Sequence, residues 1–426
     1  MLGRSGANFS RMGLVRPAGH FAGATLDLNF VASSGYPAAP SLLLTTTRSS
    51  SGDYADNSAG VWSSFAANIP RITDKGLLVE EARTNSIRNN SMQGAVAGTP
   101  GTAPTNWGVS ATGLTIELVG TGTQNGVEYV DYRLSGTTGA TSATVAFETP
   151  TAIAATTGQV WAESAFLSFV GGSKTNITSL FFTVTENTSG GVFVANNDGS
   201  DFVASLTSTL TRFSTVRTLA GGGTVAAAAP KLRFSWSIGV AIDITLRIGW
   251  PQLELGAFAT SPIRTTGVSA TRAADVATAS AVLAGPRTMY AEGAPSAPDS
   301  YATSQILAQL DNGTANERIL FFRASANPSG TVVVGGSSVD YNAIDLGTHS
   351  QNATGKYALA LESGAQSGVF NAGSISAGVK ASLPTTSSTL RLGCNSAGAG
   401  QWNGYIRRIS LFPSRLADAQ LQALTA

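Results

Sequence analysis

Four things are scarce in this chain of 426 residues: cysteine, histidine, charge and long apolar runs. Its single cysteine, Cys394, excludes an intramolecular disulfide framework, so packing and hydrogen bonds must hold the fold. The two histidines, His20 and His349, have neither a carboxylate nor a cysteine at metal-ligand spacing, and no Gly-x-Ser-x-Gly elbow supplies a nucleophile. A solvated or hydrogen-bonded imidazole is the expected state of both. Charged residues make up 12% of the chain, against about 25% in an ordinary soluble domain. With a net charge of +1 and no basic stripe, nucleic acid is excluded as a partner. No apolar run reaches the roughly 18 residues needed to cross a bilayer, so membrane insertion is not expected. The opening MLGRSGANFSRMG has no apolar core of the kind a secretory signal needs. Work outside the cell would then require another exit, such as release of assembled particles by lysis.

What is present is strand signal, bounded by clusters of Gly, Asn, Asp, Ser and Pro. Ile242, Ile244, Leu246, Ile248 and Trp250 recur at every second position with Asp243, Thr245, Arg247 and Gly249 between them, the period of a strand with one buried face. Pro251 is expected to end that ladder. Leu232, Phe234, Trp236, Ile238 and Val240 alternate in the same way. The short step from Val240 to Ile242 predicts either a tight hairpin or one long bent strand, with parity favouring a continued face. Trp236 and Trp250 are both expected in the core. Further strands are predicted at 115–119, 129–134, 160–170, 180–185 and 213–219, and in shorter pieces at Ile319, Val332, Tyr357 and Leu390.

The chain is therefore read as all-β, with two tandem β-sandwich domains of jelly-roll type after a short, partly extended N-terminal region. Residues 1–90 form that region, 91–262 the first sandwich and 263–426 the second. The first twenty residues show neither period and are expected to order on a partner. Near the end, Leu416, Leu421 and Leu424 predict a short helix; Ala417 lacks an N-cap hydroxyl, so the helix starts at Asp418 or frays.

Three segments carry a resemblance: GLLVEEARTN at Gly76–Asn85, QLELGAFATSPIRTTG with TRAADVA up to Ala277, and NGYIRRISLFPSRLADAQLQALT at Asn403–Thr425. In this order they resemble modular bacteriophage virion proteins, in which a jelly roll like a carbohydrate-binding module precedes a concanavalin A-like (laminin-G-like) domain. The resemblance implies residence in the virion, attachment to other virion proteins through the N-terminal region, a homotrimer by analogy with phage fibres, and contact with a host surface glycan.

Motifs for chemistry are sparse. GGSKT at Gly171 has Ser173 where a phosphate loop needs glycine, and no helical pattern follows, so it is read as a turn. Glu80 and Glu81 are adjacent and in a strand point to opposite faces, so they cannot converge on one glycosidic bond; Arg83 is expected to pair with Glu81. NNDGSD at Asn196–Asp201 reads as a hairpin turn, with structural calcium as the alternative. No other cofactor is implied. Glycan binding asks for an aromatic ring beside amides and hydroxyls, and the candidates are Trp107, Tyr129, Tyr132 and Trp402, for each of which packing in the core or an interface is the first reading. The favoured function is a non-enzymatic fibre or spike that touches host glycans. The alternatives are a capsid or tail decoration protein and, behind it, a polysaccharide depolymerase.

Overall fold

The computed structural model describes residues 19–36, 38–325, 328–334, 341–379, 382–384 and 387–426. The N-terminal arm expected over the first residues lies outside them up to residue 18.

The fold is almost entirely antiparallel β, in two sandwiches. In the first, a five-stranded sheet runs in the order Leu114–Gln124, Val127–Thr137, Ala241–Leu255, Val160–Gly172, Thr211–Thr218. A six-stranded sheet centred on Ala227–Ser235 faces it. Ile242, Ile244, Leu246 and Ile248 from one sheet meet Leu232, Phe234 and Trp236 from the other in a single core, as their alternation requires.

Two local expectations change. The turn at Gly239, held at φ 81°, is neither a hairpin within one sheet nor a bend in one strand. It carries the chain from the six-stranded to the five-stranded sheet, so the two apolar faces enter the same core from opposite sides, except for Ile238, which departs from the expected face and lies exposed beside the turn. Nor does Pro251 end its strand, which continues to Leu255. Trp250 and Pro251 together oppose only Ala165, between the pairs Phe166–Gly249 and Ser164–Gln252. Such a bulge accommodates a residue without an N–H, and here Trp250 takes φ 39°. The extra residue reverses parity: Trp250 is buried, but on the outside of the jelly roll, against Val127, Phe166, Tyr54 and Trp62. Leu253 returns to the inner core.

The second sandwich takes strands from both ends of the chain. Its nine-stranded sheet places Leu26–Asn29 and Gly76–Val79 against Gly404–Phe412, and its seven-stranded sheet ends with Leu44–Thr47 beside Val276–Leu283. The boundary drawn at residue 90 is thus a change of sequence character, not of fold: Leu26–Asn29, Ser34–Tyr36, Leu44–Thr47, Ile72–Thr73 and Gly76–Val79 of the first segment join the sheets of the last domain, while Asp53–Asp56 pairs with Trp62–Phe65 and Arg83–Asn85 with Ala270–Arg272 in separate two-stranded sheets. Asp27 shows how they are held, since its carboxylate accepts from Arg408 Nε at 2.9 Å and Nη2 at 2.6 Å and from Ser410 Oγ at 2.7 Å. His20 Nδ1 lies 3.0 Å from the same group, so the fold brings this imidazole to a carboxylate that sequence spacing did not offer. The C-terminal helix begins at Asp418, and Gln420 Oε1 accepts the Ala417 N–H at 2.8 Å, the half of a capping box that needs no hydroxyl at Ala417. Leu421 buries it against Tyr290, Ala358 and Phe412 on the outer face of the nine-stranded sheet.

The junction between the sandwiches is built from the first two of the three resembling segments. Glu80 accepts from Ser261 N at 2.8 Å and Oγ at 2.6 Å and pairs with Arg71 at 2.9 Å and Arg272 at 3.2 Å. Asp275 binds Arg48 at 3.0 Å and Arg71, and accepts the Glu80 N–H at 2.9 Å. All of these side chains are buried. Burial alone would raise the Glu80 carboxyl, but the charges of Arg272 and Arg71 overcome it and hold the group at about 2. Glu80 and Glu81 lie between the strands Gly76–Val79 and Arg83–Asn85 and not within one, and Glu81 pairs separately with Arg83 at 2.5 Å, the partner expected for it.

Candidate functional site

The outward face of the five-stranded sheet supplies the site. Along Val127–Thr137, Val130, Tyr132 and Leu134 are buried in the core while Asp131 and Arg133 point out; along Ala241–Leu255, Asp243, Thr245 and Arg247 do the same. The register sets Asp131 directly opposite Arg247 and Arg133 opposite Thr245. Cross-strand neighbours on one face are close enough for direct bonds. Arg247 therefore grips Asp131 through Nε at 2.9 Å and Nη2 at 2.8 Å, and its Nη1 donates to Gln124 Oε1 at 2.6 Å. Arg133 grips Asp243 diagonally, through Nε at 2.9 Å and Nη2 at 3.0 Å, with Glu117 at 3.5 Å on its other side.

These residues line an open groove of about 510 Å³, with the exposed side chains of Val119 and Val170 in its walls. At one end, Gly172 is required: it has φ +78°, and a Cβ there would lie 2.2 Å from the Asp243 carbonyl oxygen. The lining holds two guanidiniums, Arg133 and Arg247, and three carboxylates, Glu117, Asp131 and Asp243, so it carries a small excess of negative charge. The hydrogen bond from Arg133 is the main reason that the Asp243 carboxyl lies below its ordinary value.

Of the four aromatic candidates, only Tyr129 is near this groove. It is half-buried, and the Arg247 guanidinium lies 3.5 Å from its ring centre, so the ring supports that arginine instead of offering a bare stacking face. Tyr132 has the opposite parity and is buried between the sheets. Trp107 is also core: it packs edge-on against Phe147 at 5.0 Å and donates Nε1–H to the Asn89 carbonyl at 2.8 Å. Trp402 is fully buried in the second sandwich, 5.6 Å from the His349 ring. Sequence reading missed Asp131, Arg133 and Arg247, although the alternation in VEYVDYRLS and DITLRI carried the signal.

The remaining motifs are structural. Lys174 of GGSKT donates to the carbonyls of Val203 at 3.1 Å and Leu206 at 3.0 Å. Asn196, Asn197 and Asp198 lie in a strand paired with Ser179–Asn187, and the chain then crosses to the other sheet, so NNDGSD is not a hairpin turn. Asp201 Oδ1 accepts the N–H groups of Leu180 at 2.8 Å and Val203 at 3.1 Å. Among the described residues, no three His, Cys, Asp or Glu side chains gather at metal-binding distance.

No family model matches the chain, and no curated protein matches it. Among solved structures it is similar to the Ruminococcus gnavus IT-sialidase CBM40 bound to alpha2,6 sialyllactose, at 16% identity and a TM-score of 0.29 over 34% of this chain and 85% of that one. It is also similar to the LG4-5 domains of the mouse laminin alpha1 chain, at 11% identity and a TM-score of 0.23, covering 60% of this chain and 81% of that one. A CBM22 tandem domain from Paenibacillus barcinonensis aligns at 8% identity with a TM-score of 0.24, over 76% and 98% of the two chains.

Proposed function

We propose that this chain is a non-enzymatic glycan-binding protein, carried on a phage particle as a fibre or spike that touches the host surface. The observation that carries the binding reading is the pair of forks Arg133–Asp243 and Arg247–Asp131, held side by side on an open sheet face. A sugar hydroxyl both donates and accepts. Each fork presents planar N–H donors beside carboxylate oxygens with spare lone pairs, already fixed by the partner and so with little ordering left to do on binding. Val119 and Val170 offer apolar surface for ring C–H groups. The excess of carboxylate favours a neutral glycan over an anionic one.

The same geometry argues against hydrolysis. A general acid needs a carboxyl held protonated near neutral pH, whereas Arg133 depresses Asp243. The phage setting is supported by the three resembling segments, two of which form the junction described above. A homotrimer would present several weak sites together and gain avidity.

The test is a glycan array probed with the whole chain and with Arg247→Ala. Binding to neutral host polysaccharide, reduced about tenfold or more by the substitution, is expected from loss of charge-assisted hydrogen bonds. A folded wild-type chain silent on every host glycan would overturn the binding reading and favour a decoration protein. New reducing ends released from the polysaccharide would favour a depolymerase. Light scattering in solution reports the trimer, and gold-labelled antibody on particles reports the location.

A further inference from the structure

A second cavity, of about 250 Å³, opens at the junction of the sandwiches. Asp56, Trp62 and Lys75 come to it from the first segment, Arg212 from the jelly roll, and Asn352 and Tyr405 from the second sandwich. Its wall carries many charges, and they cancel. Asp56 pairs with Lys75 at 2.9 Å and accepts the Tyr405 hydroxyl at 2.5 Å. The guanidiniums of Arg48, Arg71 and Arg272 are matched by the carboxylates of Asp53, Asp275 and Glu80. The charge of Arg212 is offset by the buried Glu254 carboxylate, with smaller pulls from Glu80 and Asp56.

A wall whose charges are already paired offers neither an anion nor a cation a counter-charge in return for the water it gives up on entering. A neutral polar ligand loses less water and can still bond to the outer atoms of the pairs. The cavity therefore favours molecules without charge.

What it offers besides paired charge is an indole. The chain has six tryptophans; five are no more than 8% exposed, and Trp62 alone stays partly exposed, in the lining of this cavity. Its place is fixed. The Trp62 N–H donates to the Asn125 carbonyl at 2.9 Å, and its ring meets Phe166 edge-on at 5.7 Å. Gly126 lets that turn press close, since at φ +81° a Cβ there would lie 2.1 Å from the Trp62 carbonyl oxygen.

Two polar groups stand by it. Asp56 is directly opposite Trp62 in the hairpin of Asp53–Asp56 and Trp62–Phe65, so the pleat sets the carboxylate on the same face as the indole. Asn352 is exposed on a turn at φ 58°, and its side-chain amide makes no hydrogen bond with any described residue. Apolar ring surface thus lies beside donors and acceptors that sum to no net charge. A pyranose has the same division, with C–H groups on one face and hydroxyls that donate and accept around its rim. The volume lies just under the roughly 300–1,000 Å³ of drug-sized sites, which suits one ring and not a polymer.

We infer that the junction cavity binds a single neutral pyranose residue, its C–H face against Trp62 and its hydroxyls on the Asn352 amide and the Asp56–Lys75 pair. The site shares no residue with the groove and takes a terminal or branch sugar, where the open groove takes a longer stretch. Because all three parts of the chain line it, occupancy ties them together and raises the melting temperature.

The experiment titrates the whole chain with the methyl glycosides of galactose, glucose and mannose, and with galacturonate and glucosamine as the anionic and cationic controls, read by calorimetry, tryptophan fluorescence and thermal shift. At least one neutral glycoside is expected to bind about tenfold tighter than either control, with little dependence on salt, and to raise the melting temperature. Trp62→Ala should cost about tenfold or more in that affinity, and Trp62→Phe, which keeps a ring, should cost less. Asn352→Gly, which keeps the left-handed turn and removes the amide, should cost about fivefold. Should Trp62→Ala not fold, Trp62→Phe and Asn352→Gly carry the test. Silence toward all three glycosides, a charged control bound as tightly as they are, or affinity indifferent to Asn352→Gly and to the Trp62 substitutions would overturn the proposal. Arg247→Ala separates the two sites, since it should weaken polysaccharide binding in the groove and leave glycoside affinity at the junction as it was. A chain that takes the glycoside but no polysaccharide would sink the groove and leave this site standing; the reverse would sink this site alone.

Discussion

The groove and the junction are made from the same parts, arginine forks on carboxylates, and the difference between them is solvent. In the groove, Arg133 and Asp243 are each more than two-fifths exposed, at 42% and 48%. Water screens such a pair, and it contributes little to stability; what it offers is a fixed arrangement of donors and acceptors for a ligand. At the junction, Arg48 and Arg71 are fully buried, with Asp275 at 3%. There each charge depends on its partners, and removing one leaves others stranded in a low-dielectric interior. Exposure thus turns one kind of contact into a binding surface and burial turns it into a clamp.

The sharpest way to break this comparison is Asp275→Ala, which removes the counter-charge of both Arg48 and Arg71 and an acceptor for the Glu80 N–H. A loss of about 3–5 kcal/mol is expected in chemical denaturation. A loss below about 1 kcal/mol would mean that the network is not a clamp.

Acid should act next. Burial pushes His349 down from 6.5 to about 4, with Nδ1 2.5 Å from the Tyr357 hydroxyl and Nε2 2.8 Å from the Ala353 carbonyl. Between those two values the unfolded chain holds a proton that the folded chain refuses. Stability is therefore complete above about pH 6.5 and falls toward pH 4, by up to about 3 kcal/mol. Glu80, held at about 2 against an ordinary 4.5, adds a further loss as pH falls through that lower window. Unfolding free energies at pH 7, 5.5 and 4.5 should show the slope, and His349→Gln should flatten its upper part.

Glu163 is the reverse case. Its carboxyl is buried in the jelly roll, and burial, against the weaker pull of the Lys231 backbone and charge, drives its pKa well above 4.5. The folded state keeps a proton that the unfolded chain releases above about 4.5, so this residue costs stability as pH rises from there. Glu163→Gln should raise stability by about 1–3 kcal/mol at pH 7.5 and by less at pH 4.5. Equal effects at both values would contradict a protonated Glu163. The smallest effect belongs to the groove: Arg133→Ala should leave the denaturation midpoint nearly unchanged, because water screens the pair, while weakening glycan binding, and a large stability loss would erase the contrast between groove and junction.

Much of the fold was legible in the residues. The alternation of Ile242, Ile244, Leu246 and Ile248 placed a strand and its inner face correctly, and the same rule applied to VEYVDYRLS separates Tyr132 from Tyr129 by parity alone. Trp250 was not legible as an outward residue. Its face depends on Trp250 and Pro251 lying opposite the single Ala165 on a strand 85 positions earlier, a count that no local pattern contains. The junction was hidden for a related reason: Arg48, Glu80 and Asp275 are strangers in sequence.

By itself, then, the chain's sequence determined strand content, the inward faces and the sandwich class, because side-chain alternation is a local property and burial acts on it directly. Only the tertiary structure decided that Leu26–Asn29 and Gly76–Val79 join the last strand, and that the outward arginines find their carboxylates. The backbone groups that pair strands are the same in nearly every residue, so residue type marks a strand but does not name its neighbour.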